Sequence, residues 1–546
     1  MRIRLSVHRL QLVLPTFRRC LLRRDSVLLA VVLCFLVLIL RQLISMPNRL
    51  RSLPTTRDVF IYASFLYKNS TSLAVSPQDS VAILFLANRN DDFPYLRCAI
   101  ANSSAARLMP AQLFRLDYVA VCDLIIFVAW CNFPPNSFHA NPHKAFVDLG
   151  TQVLADQSLR ERYTRPILHK VRLQRPDGTP RNLVMCISRI FAFEKWELLI
   201  AAMEVYKALG VDLVVTHVYS ALTPVFELIR AYEAEGRLAI RTGVRLPYLR
   251  GLMNYDPERQ LEYSGQLAMA HECFYEFRES SSFISLVDWD DLLITTRFPS
   301  LSDALVSAAR KYPNSAYFFV NKLESGIRKK AIEDRSPSNF RLKSILRNSV
   351  FTKRTYNSEK LVIRPSRVDG FWIHFTRHYA KKHEPIQLPV QYAMILHLSK
   401  EINGTEDAYG DNVLSALWHS RRMAEGARRF FANRTVARVR RWRSIRRRTA
   451  SPPSPPNSSQ KIMNSLPSQL HYFNSIRHCS LFLNAFPDVA PPPPCLSYSL
   501  CQFPRIFVPC TVAKTHFRMK TIEPTRVYRV HVRQWSRFER RSDGCF

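Results

Sequence analysis

The strongest constraint on the fold of this 546-residue chain is an alternation of apolar runs with segments of helical spacing. The predicted strands and helices follow one another at residues 182–190, 194–209, 212–219, 223–235 and 237–244. Gly210 and Gly236 come directly after the two helical segments, where glycine commonly ends a helix. Strands that alternate with helices pair in parallel, because each helix carries the chain back across the sheet. The sequence therefore predicts an α/β fold with a parallel sheet.

A further helix and strand lead from this series to a cluster of acidic residues. Residues 266–278 have helical spacing, and the apolar residues 283–287 run directly into Asp288-Trp289-Asp290-Asp291, called the acidic quartet below. Open α/β sheets bind ligands at the carboxyl ends of their strands. Carboxylates are ligands of hard cations such as Mn²⁺ or Mg²⁺, and without a cation or Lys and Arg partners these three would repel one another. The quartet predicts a metal site, and the alternative is a solvated acidic turn that caps a helix.

The rest of the chain divides into segments of different composition. Apolar runs at 81–86 and 122–128 predict strands, as do residues 316–320, 360–363 and 392–396. The predicted organisation is a basic tail at 1–25, a transmembrane signal anchor at 26–46, a stem at 47–80, a small β-rich subdomain at 81–178, the α/β domain at 179–420, an Arg-rich segment at 421–450 and a Pro-rich, mostly disordered or loosely structured tail at 451–546.

The N-terminus predicts a single membrane span. Seven arginines lie within residues 1–24, and residues 26–40 carry no charge. If Arg41 reaches the lipid headgroups, the span extends to Met46, near the roughly 20 residues that a membrane helix needs. The arginines orient the N-terminus to the cytosol and the remainder to the lumen, as in a single-pass type II protein. A cleaved signal peptide and a buried core helix are the alternatives.

Two further features agree with the lumen of the Golgi or another secretory compartment. N-x-S/T triplets begin at Asn69, Asn102, Asn403, Asn433 and Asn457. Of the 12 cysteines, Cys20 and Cys34 lie in or before the predicted anchor, which leaves ten for disulfides in an oxidising compartment. Buried free thiols are the alternative for several of the ten.

The chain is strongly basic, with 78 Lys and Arg against 43 Asp and Glu and a net charge of +35. Such an excess favours anionic partners. Much of it lies in residues 421–448, where Trp442 could stack on a base. A nucleic-acid- or polyanion-binding protein is therefore one alternative, and a solvated basic linker is the simpler interpretation of this segment. No nucleic acid is expected as a partner of a lumenal domain.

Seven stretches of the central region carry a resemblance to a known family. They are CIS at 186–188, EKWELL at 194–199, YKALGVD at 206–212, GQLAMAHECFYEFR at 265–278, FISLVDWDDLLI at 283–294, EKLVIRPSRVDGFWIHF at 359–375 and YAMILHL at 392–398. In this order and spacing they resemble glycosyltransferase family 92, a group of Golgi-type enzymes abundant in nematodes. The resemblance spans roughly residues 180–400, less than half of the chain.

The resemblance implies a fold and an activity for this region. It implies a GT-A-like fold, a Rossmann-type mixed sheet flanked by helices. It implies transfer of a hexose, with galactose expected, from a UDP-sugar to a glycan or glycoprotein acceptor with Mn²⁺ or Mg²⁺. Some members are similar to enzymes that add β-1,4-galactose to the core fucose of N-glycans. Residues 219–222 (YSAL) and 398–400 (LSK) depart from the family pattern, so the alternative is a catalytically inactive relative that binds glycans or polyanions.

The same resemblance assigns roles around the acidic quartet. Asp288 and Asp290 would contact the donor ribose and the metal, with Asp291 supporting them. A late histidine commonly completes the metal shell of GT-A enzymes, which makes His397 and His374 the candidates. A hydrogen-bonded structural histidine is the alternative for each.

Other positions are candidates for the base and for contacts with the donor. An inverting transfer needs a carboxylate to take the proton of the acceptor hydroxyl, and Glu324 and Asp369 are the candidates. Candidate contacts to the nucleotide or diphosphate are Ser188, Tyr219, Gln266 and Arg278. Glu194 and Trp196 match family positions but fit a helix start and core packing. Cys186 and Cys273 are predicted either to form a disulfide or to pack as small apolar residues.

Overall fold

The computed structural model describes residues 57–70, 78–93, 96–102, 105–118, 121–138, 146–151, 169–250, 253–295, 297–328, 337, 340–402, 458–484, 495–523 and 526–546. The chain forms a large compact unit of residues 56–249 and 256–546 and a small unit of residues 1–55 and 250–255, and all that follows concerns the large unit. The predicted anchor at 26–46 and the Arg-rich segment at 421–450 lie outside the described residues. Within the ranges just given, no helix is long and apolar enough to cross a bilayer.

The described strands and helices are short to medium in length. The strands are β1 (Arg57–Ser70), β2 (Gln78–Asn88), β3 (Leu96–Asn102), β4 (Ala105–Pro110), β5 (Gln112–Leu116), β6 (Leu124–Phe133), β7 (Phe146–Thr151), β8 (His169–Arg172), β9 (Arg181–Ile190), β10 (Leu213–Val218), β11 (Ser220–Leu222), β12 (Leu238–Thr242), β13 (Ser281–Val287), β14 (Asp291–Ile294), β15 (Ser315–Arg328), β16 (Ser349–Ile363), β17 (Val368–Gly370), β18 (His378–Tyr379), β19 (Glu384–Leu388), β20 (Met394–Ile402), β21 (Cys510–Lys514), β22 (Phe517–Glu523), β23 (Arg526–His531) and β24 (Arg537–Arg541). The helices are α1 (Trp196–Ala208), α2 (Thr223–Ala234), α3 (Gln266–Phe277), α4 (Leu301–Lys311), α5 (Leu342–Arg347), α6 (Ser458–Ser465) and α7 (Phe473–Asn484).

A mixed sheet of nine strands forms the centre of the α/β region. Its order is β12-β10-β9-β13-β16-β15-β20-β14, with β19 beside β15. The first four strands are parallel: Val215 of β10 pairs with Cys186 of β9 on one side and Ala239 of β12 on the other. β16 then pairs antiparallel with both β13 and β15. In chain order the parallel strands read 3-2-1-4, the Rossmann-type arrangement. This confirms the predicted parallel series and the mixed α/β class.

The parallel strands and their crossover helices form where the apolar pattern predicted them. All six residues of β10 are buried, as expected of a strand covered on both faces. α1 buries Leu199, Met203 and Tyr206 against this sheet, and each such side chain stabilises the fold by about 1.5–3 kcal/mol. Gly210 and Gly236 adopt φ of +75° and +72° after α1 and α2. Only glycine adopts this left-handed conformation without strain, so both helices end there.

A second sheet joins the two ends of the chain. Its order is β22-β23-β1-β2-β6-β5, in which β1 pairs antiparallel with β2 and parallel with β23. Residues 57–70 were predicted as part of a stem, and this is corrected: the apolar run from Val59 to Leu66 is a buried strand. The two prolines of the predicted stem, Pro47 and Pro54, both precede the strand.

The C-terminal segment is also structured, which corrects the prediction of a loose tail over 451–546. It contributes α6, α7 and β21–β24, and β21 pairs with β11 in the α/β region. Its order depends on partners distant in sequence, which a search for local periodicity cannot detect. Three disulfides involve this segment, and one of them joins it to the body of the protein. The five disulfides are Cys98–Cys131, Cys122–Cys495, Cys186–Cys273, Cys479–Cys501 and Cys510–Cys545.

A buried carboxylate attaches the C-terminal segment to the start of α1. Glu194 is 2% exposed, and it accepts hydrogen bonds from the backbone N–H groups of His471 (2.7 Å), Tyr472 (2.8 Å) and Phe473 (2.6 Å) at the start of α7. A carboxylate at a helix N-terminus satisfies otherwise unpaired donors and the helix dipole. Glu194 is therefore structural, but its carboxylate serves the start of α7 and not the start of α1, where the sequence placed it.

We expect Glu194→Ala to lower the free energy of unfolding by about 2–4 kcal/mol, because three buried donors lose a charged acceptor. Glu227→Ala is a matched control, since Glu227 pairs with Arg540 on the exposed surface and such pairs contribute at most about 1 kcal/mol. Chemical denaturation of the purified chain measures both. Equal losses in the two variants would contradict the assigned role of Glu194.

Glu204 provides a pH-dependent contribution to stability. It is buried between α1 and α2, where Tyr232 Oη donates to its Oε1 at 3.3 Å, and burial raises its pKa from 4.5 to about 7 despite Lys207 nearby. A carboxyl with a raised folded pKa stabilises the fold at low pH, and that contribution is lost as the pH rises from about 4.5 to 7. We expect Glu204→Gln to raise the free energy of unfolding by about 1–3 kcal/mol at pH 8 and by much less at pH 4.5. Melting curves of the variant and the wild type at both pH values measure this difference in stability. An increase in stability that is the same at both pH values would contradict the role given to Glu204.

Candidate metal and donor site

The acidic quartet is a turn at the carboxyl edge of the central sheet. β13 ends at Val287, and Asp291 opens β14, where it pairs with His397 of β20. The turn is fixed by the N–H of Asp291, which donates to Asp288 O at 3.1 Å, and by the N–H of Leu398, which donates to Asp290 O at 2.8 Å. Tyr206 of α1 donates its hydroxyl to Asp291 O at 2.7 Å. Strand, helix and distant strand thus hold the quartet in one conformation.

Two of the carboxylates and one histidine form a group that could hold a metal ion. The ligand atoms of Asp290, Asp291 and His397 lie within 4.8 Å of one another. Asp290 Oδ2 is 3.3 Å from His397 Nε2, and Asp291 Oδ1 is 3.5 Å from His397 Nδ1. Two carboxylate oxygens and an imidazole suit Mn²⁺ and similar divalent cations. Asp290 is 36% exposed while Asp291 is fully buried, so the group opens toward solvent on the side of Asp290.

Each charged residue of this group shifts the pKa of its neighbours. Burial alone would lower the pKa of His397, but the adjacent Asp290 outweighs burial and raises it. Burial alone would likewise raise the pKa of Asp290, and the contact with His397 lowers it instead. The Asp291 carboxyl has a raised pKa because burial and the charges of its two acidic neighbours outweigh Lys360.

Two buried lysines lie beneath the quartet. Lys360 Nζ contacts Asp288 Oδ2 at 2.6 Å and Asp291 Oδ2 at 3.3 Å, and Lys322 Nζ lies 3.3 Å from Asp291 Oδ1. Burial would raise the pKa of Asp288, but Lys360 outweighs it and holds that pKa below its usual value. The two cations explain how three adjacent carboxylates are tolerated. Asp288 is therefore an ionised acceptor held by a lysine. It is not one of the three residues whose ligand atoms converge, and its assignment as a metal ligand stays a prediction.

Gln266 and Ser188 are two predicted donor contacts that the fold does bring to the quartet. Gln266 is the first residue of α3, and its Nε2 donates to Asp288 Oδ1 at 3.1 Å. Ser188 of β9 lines a small cavity together with Gln266, Asp288 and Lys360. The Cys186–Cys273 disulfide, one of the two predicted alternatives, ties β9 to α3 next to this cavity.

Arg278 and Asp369 are two predicted residues that lie elsewhere. Arg278 follows the last residue of α3, and a 12-residue helix is about 18 Å long, so Arg278 is at the opposite end from Gln266. Its guanidinium packs on the rings of Trp130, Phe274 and Tyr275, and its Nη2 lies 3.7 Å from Asp369 Oδ1. This ion pair joins the end of α3 to β17, and the roles of Arg278 as a donor contact and of Asp369 as a base stay predictions that this placement does not support.

Three further predicted residues have different outcomes. Tyr219 is buried, and its hydroxyl donates to Val244 O at 2.5 Å, so this hydroxyl has an internal acceptor. His374 has its ring 5.1 Å from that of Trp372 and is not one of the three residues whose ligand atoms converge. Glu324 pairs with His397 in the register of β15 and β20, which places its backbone beside the quartet.

Lys322, Lys360 and two glutamates near α3 were not predicted from the sequence. Lys322 follows Asn321 in β15 and Lys360 follows Glu359 in β16, so neither lysine stands out from its polar neighbours in the sequence. Glu262 accepts a hydrogen bond from Trp372 Nε1 at 3.0 Å, and burial raises its pKa from 4.5 to about 7. Glu258 has a pKa of about 7 for the same reason. Only the three-dimensional structure shows that these four charged residues are buried or half-buried and not exposed on the surface.

Comparison with known proteins finds one family. Residues 181–447 match the family model "Glycosyltransferase family 92". The chain is 28% identical over 346 residues to glycosyltransferase family 92 protein F13G3.3 of Caenorhabditis elegans, which is 62% of each chain. It is 29% identical over 347 residues to protein F59C6.8 of that family and organism, again 62% of each chain. The chain thus spans about 62% of the length of these relatives.

Proposed function

We propose that this chain, whose residues 181–447 match the glycosyltransferase family 92 model, transfers a hexose from a UDP-sugar to a glycan acceptor. Galactose is the expected sugar, and a glycoprotein glycan is the expected acceptor. One observation carries the proposal: Asp290, Asp291 and His397 converge at the carboxyl edge of the sheet, where open α/β folds bind nucleotides.

The proposed chemistry assigns a separate task to each part of the site. Asp290, Asp291 and His397 would hold Mn²⁺ or Mg²⁺, which when bound neutralises charge on the departing diphosphate. Asp288 would accept a hydrogen bond from a ribose hydroxyl of the donor. Lys360 keeps this carboxylate ionised, and Gln266 fixes its orientation through Oδ1. Both partners are in place before the donor binds, so Asp288 need not reorient.

Glu324 is the proposed base for the acceptor hydroxyl. Its backbone is paired with that of His397, which supports the proposal because it places Glu324 beside a proposed metal ligand. Asp369 has no such relation to the quartet, because it pairs with Arg278. Glu324→Gln is therefore expected to lower the rate of transfer at saturating donor without lowering donor affinity.

The proposed location is the Golgi or another secretory membrane, with the N-terminal span as a type II anchor. Five disulfides among the ten cysteines beyond the predicted span support an oxidising compartment. Protection of the C-terminus from protease in intact microsomes tests the orientation, and digestion there would contradict it.

The activity is tested by a donor screen on the purified full-length chain. Hexose transfer to a glycan array is measured with each UDP-hexose, with Mn²⁺ and again with EDTA. We expect transfer from one UDP-sugar, with UDP-galactose first among them, that is lost in EDTA. Glycan binding without turnover of any donor would instead identify a catalytically inactive relative.

A further inference from the structure

Arg189 is a buried cation next to the acidic quartet. It lies at the carboxyl end of β9, one residue after Ser188, and is 8% exposed. Its Nη1 donates to Gln266 Oε1 at 3.3 Å, and Gln266 in turn donates to Asp288. Arg189 Nε and Nη2 have no hydrogen-bond partner among the described residues. A buried guanidinium with donors to spare is costly unless a ligand satisfies them.

The surroundings of Arg189 do not supply a full counter-charge. No carboxylate in the described part of the chain forms an ion pair with it. Its guanidinium carbon lies over the rings of Phe191 and Tyr498, 5.6 and 5.3 Å from the ring centroids. Burial accordingly lowers the pKa of Arg189, and the nearby charges of Glu258 and Asp288 only partly offset it. Asp288 is in turn engaged by Lys360. The guanidinium of Arg189 therefore has no carboxylate of its own in direct contact.

The position of Arg189 determines what could balance this charge. Arg189 lines the same small cavity as Ser188, Gln266, Asp288 and Lys360. A guanidinium presents a planar set of donors that matches two oxygens of a phosphate group. The rings of Phe191 and Tyr498 lie against this plane and restrict its rotation. The guanidinium would therefore lose little orientational freedom when it binds a ligand.

We propose that Arg189 binds a phosphate group of a nucleoside diphosphate through its Nε and Nη2 donors. The identity of the ligand as a nucleotide rests on the proposed function, whereas the anion site rests on Arg189 itself. The site is completed from the C-terminal segment: Tyr498 donates its backbone N–H to Ser264 Oγ at 3.1 Å, and Cys495 three residues earlier is bonded to Cys122. Tyr498 is thus a positioning residue for the guanidinium.

The test compares Arg189→Met with a matched control, Arg278→Met. Both arginines are buried and both pack on aromatic rings, but Arg278 lies at the far end of α3. Calorimetric titration of the full-length chain with uridine, UMP, UDP and inorganic pyrophosphate, all with Mn²⁺, measures affinity. We expect Arg189→Met to weaken the binding of UDP and of pyrophosphate roughly 10–100-fold and to leave the binding of uridine almost unchanged. Arg278→Met is expected to leave all four affinities within about twofold of those of the wild type, because Arg278 lies at the other end of α3.

Melting of the ligand-free variants separates a binding role from a structural one. Removing an unpaired buried charge should leave the melting temperature of Arg189→Met equal to that of the wild type or higher, whereas Arg278→Met breaks an ion pair and should melt lower. The proposal is overturned if Arg189→Met binds UDP and pyrophosphate as the wild type does. It is also overturned if that variant melts at a lower temperature than the wild type and its affinities for uridine, UMP and UDP fall by the same factor.

Failure of the proposed function has a different signature. A wild-type chain that binds pyrophosphate through Arg189 but binds no uridine nucleotide keeps the anion site and contradicts the UDP-sugar assignment. A wild-type chain that binds neither pyrophosphate nor UDP overturns both.

Discussion

Replacing Asp290 by alanine is expected to lower hexose transfer by about 1,000-fold, because a bound divalent cation supplies several kcal/mol of transition-state stabilisation. Asp290 is the most exposed of the three carboxylates and faces His397 at 3.3 Å, so its loss removes a ligand from the open side of the group. The effect should appear in the rate at saturating donor and in the Mn²⁺ concentration needed for half-maximal rate. Steady-state kinetics of the purified chain with UDP-hexose and varied Mn²⁺ measure both.

The Asp290→Ala variant should remain folded, since the contact that fixes the turn uses the backbone oxygen of Asp290. Asp543→Ala is a suitable control because Asp543 is an exposed carboxylate paired with Arg541. A melting temperature equal to that of the wild type, together with transfer within tenfold of it, would contradict a metal-binding role for Asp290.

The second large effect concerns the C-terminal segment. A chain that ends at residue 457 is expected not to fold, because it loses β23, the strand beside β1, and three of the five disulfides. It also loses Arg529, whose Nε lies 3.0 Å from the carboxylate of the buried Asp58. Removing one partner of a buried pair costs roughly 3–5 kcal/mol, which alone is a large part of the stability of a typical domain. Loss of cooperative melting and rapid cleavage by trypsin are the expected observations.

A nicked chain separates the loss of this segment from the loss of chain continuity. A protease site inserted between residues 421 and 450 allows the purified protein to be cleaved while Cys122–Cys495 still joins the two parts. The nicked protein should keep the melting temperature of the intact protein in the absence of reductant. A chain ending at residue 457 that melts cooperatively near the temperature of the intact protein would contradict the role given to the segment.

Local pattern was sufficient to predict the α/β region. The helices predicted at 194–209 and 223–235 are observed at Trp196–Ala208 and Thr223–Ala234. The apolar strands next to them are observed within a few residues of their predicted bounds. Each of these elements has a strong period or a continuous apolar run, and each pairs with a neighbour close in sequence. The local sequence is therefore enough to predict such elements.

Elements stabilised by distant partners were missed for the opposite reason. β1 and β23 lie side by side although more than 450 residues separate them, and no local period reports such a pairing. The residues Ser220-Ala221-Leu222 looked like a departure from the family pattern, and the structure pairs them with β21 of the C-terminal segment. This departure is thus a strand that pairs with the C-terminal segment.

The candidate site was predictable only in part. The acidic quartet and His397 stand out because several acidic residues follow an apolar strand and a histidine ends another. Arg278 seemed equally well placed in the sequence, yet it ends α3 while Gln266 begins it. Lys322, Lys360 and Arg189 each share a strand with other basic residues, so only their distances to the carboxylates and to Gln266 reveal them.

The central claim is that Asp290, Asp291 and His397 hold the metal that the donor requires. Anomalous diffraction from crystals of the protein grown with Mn²⁺ and UDP tests it most directly. We predict one manganese peak in contact with these three side chains and with the diphosphate of UDP. Bound UDP without manganese, or manganese held by other residues, would contradict the claim.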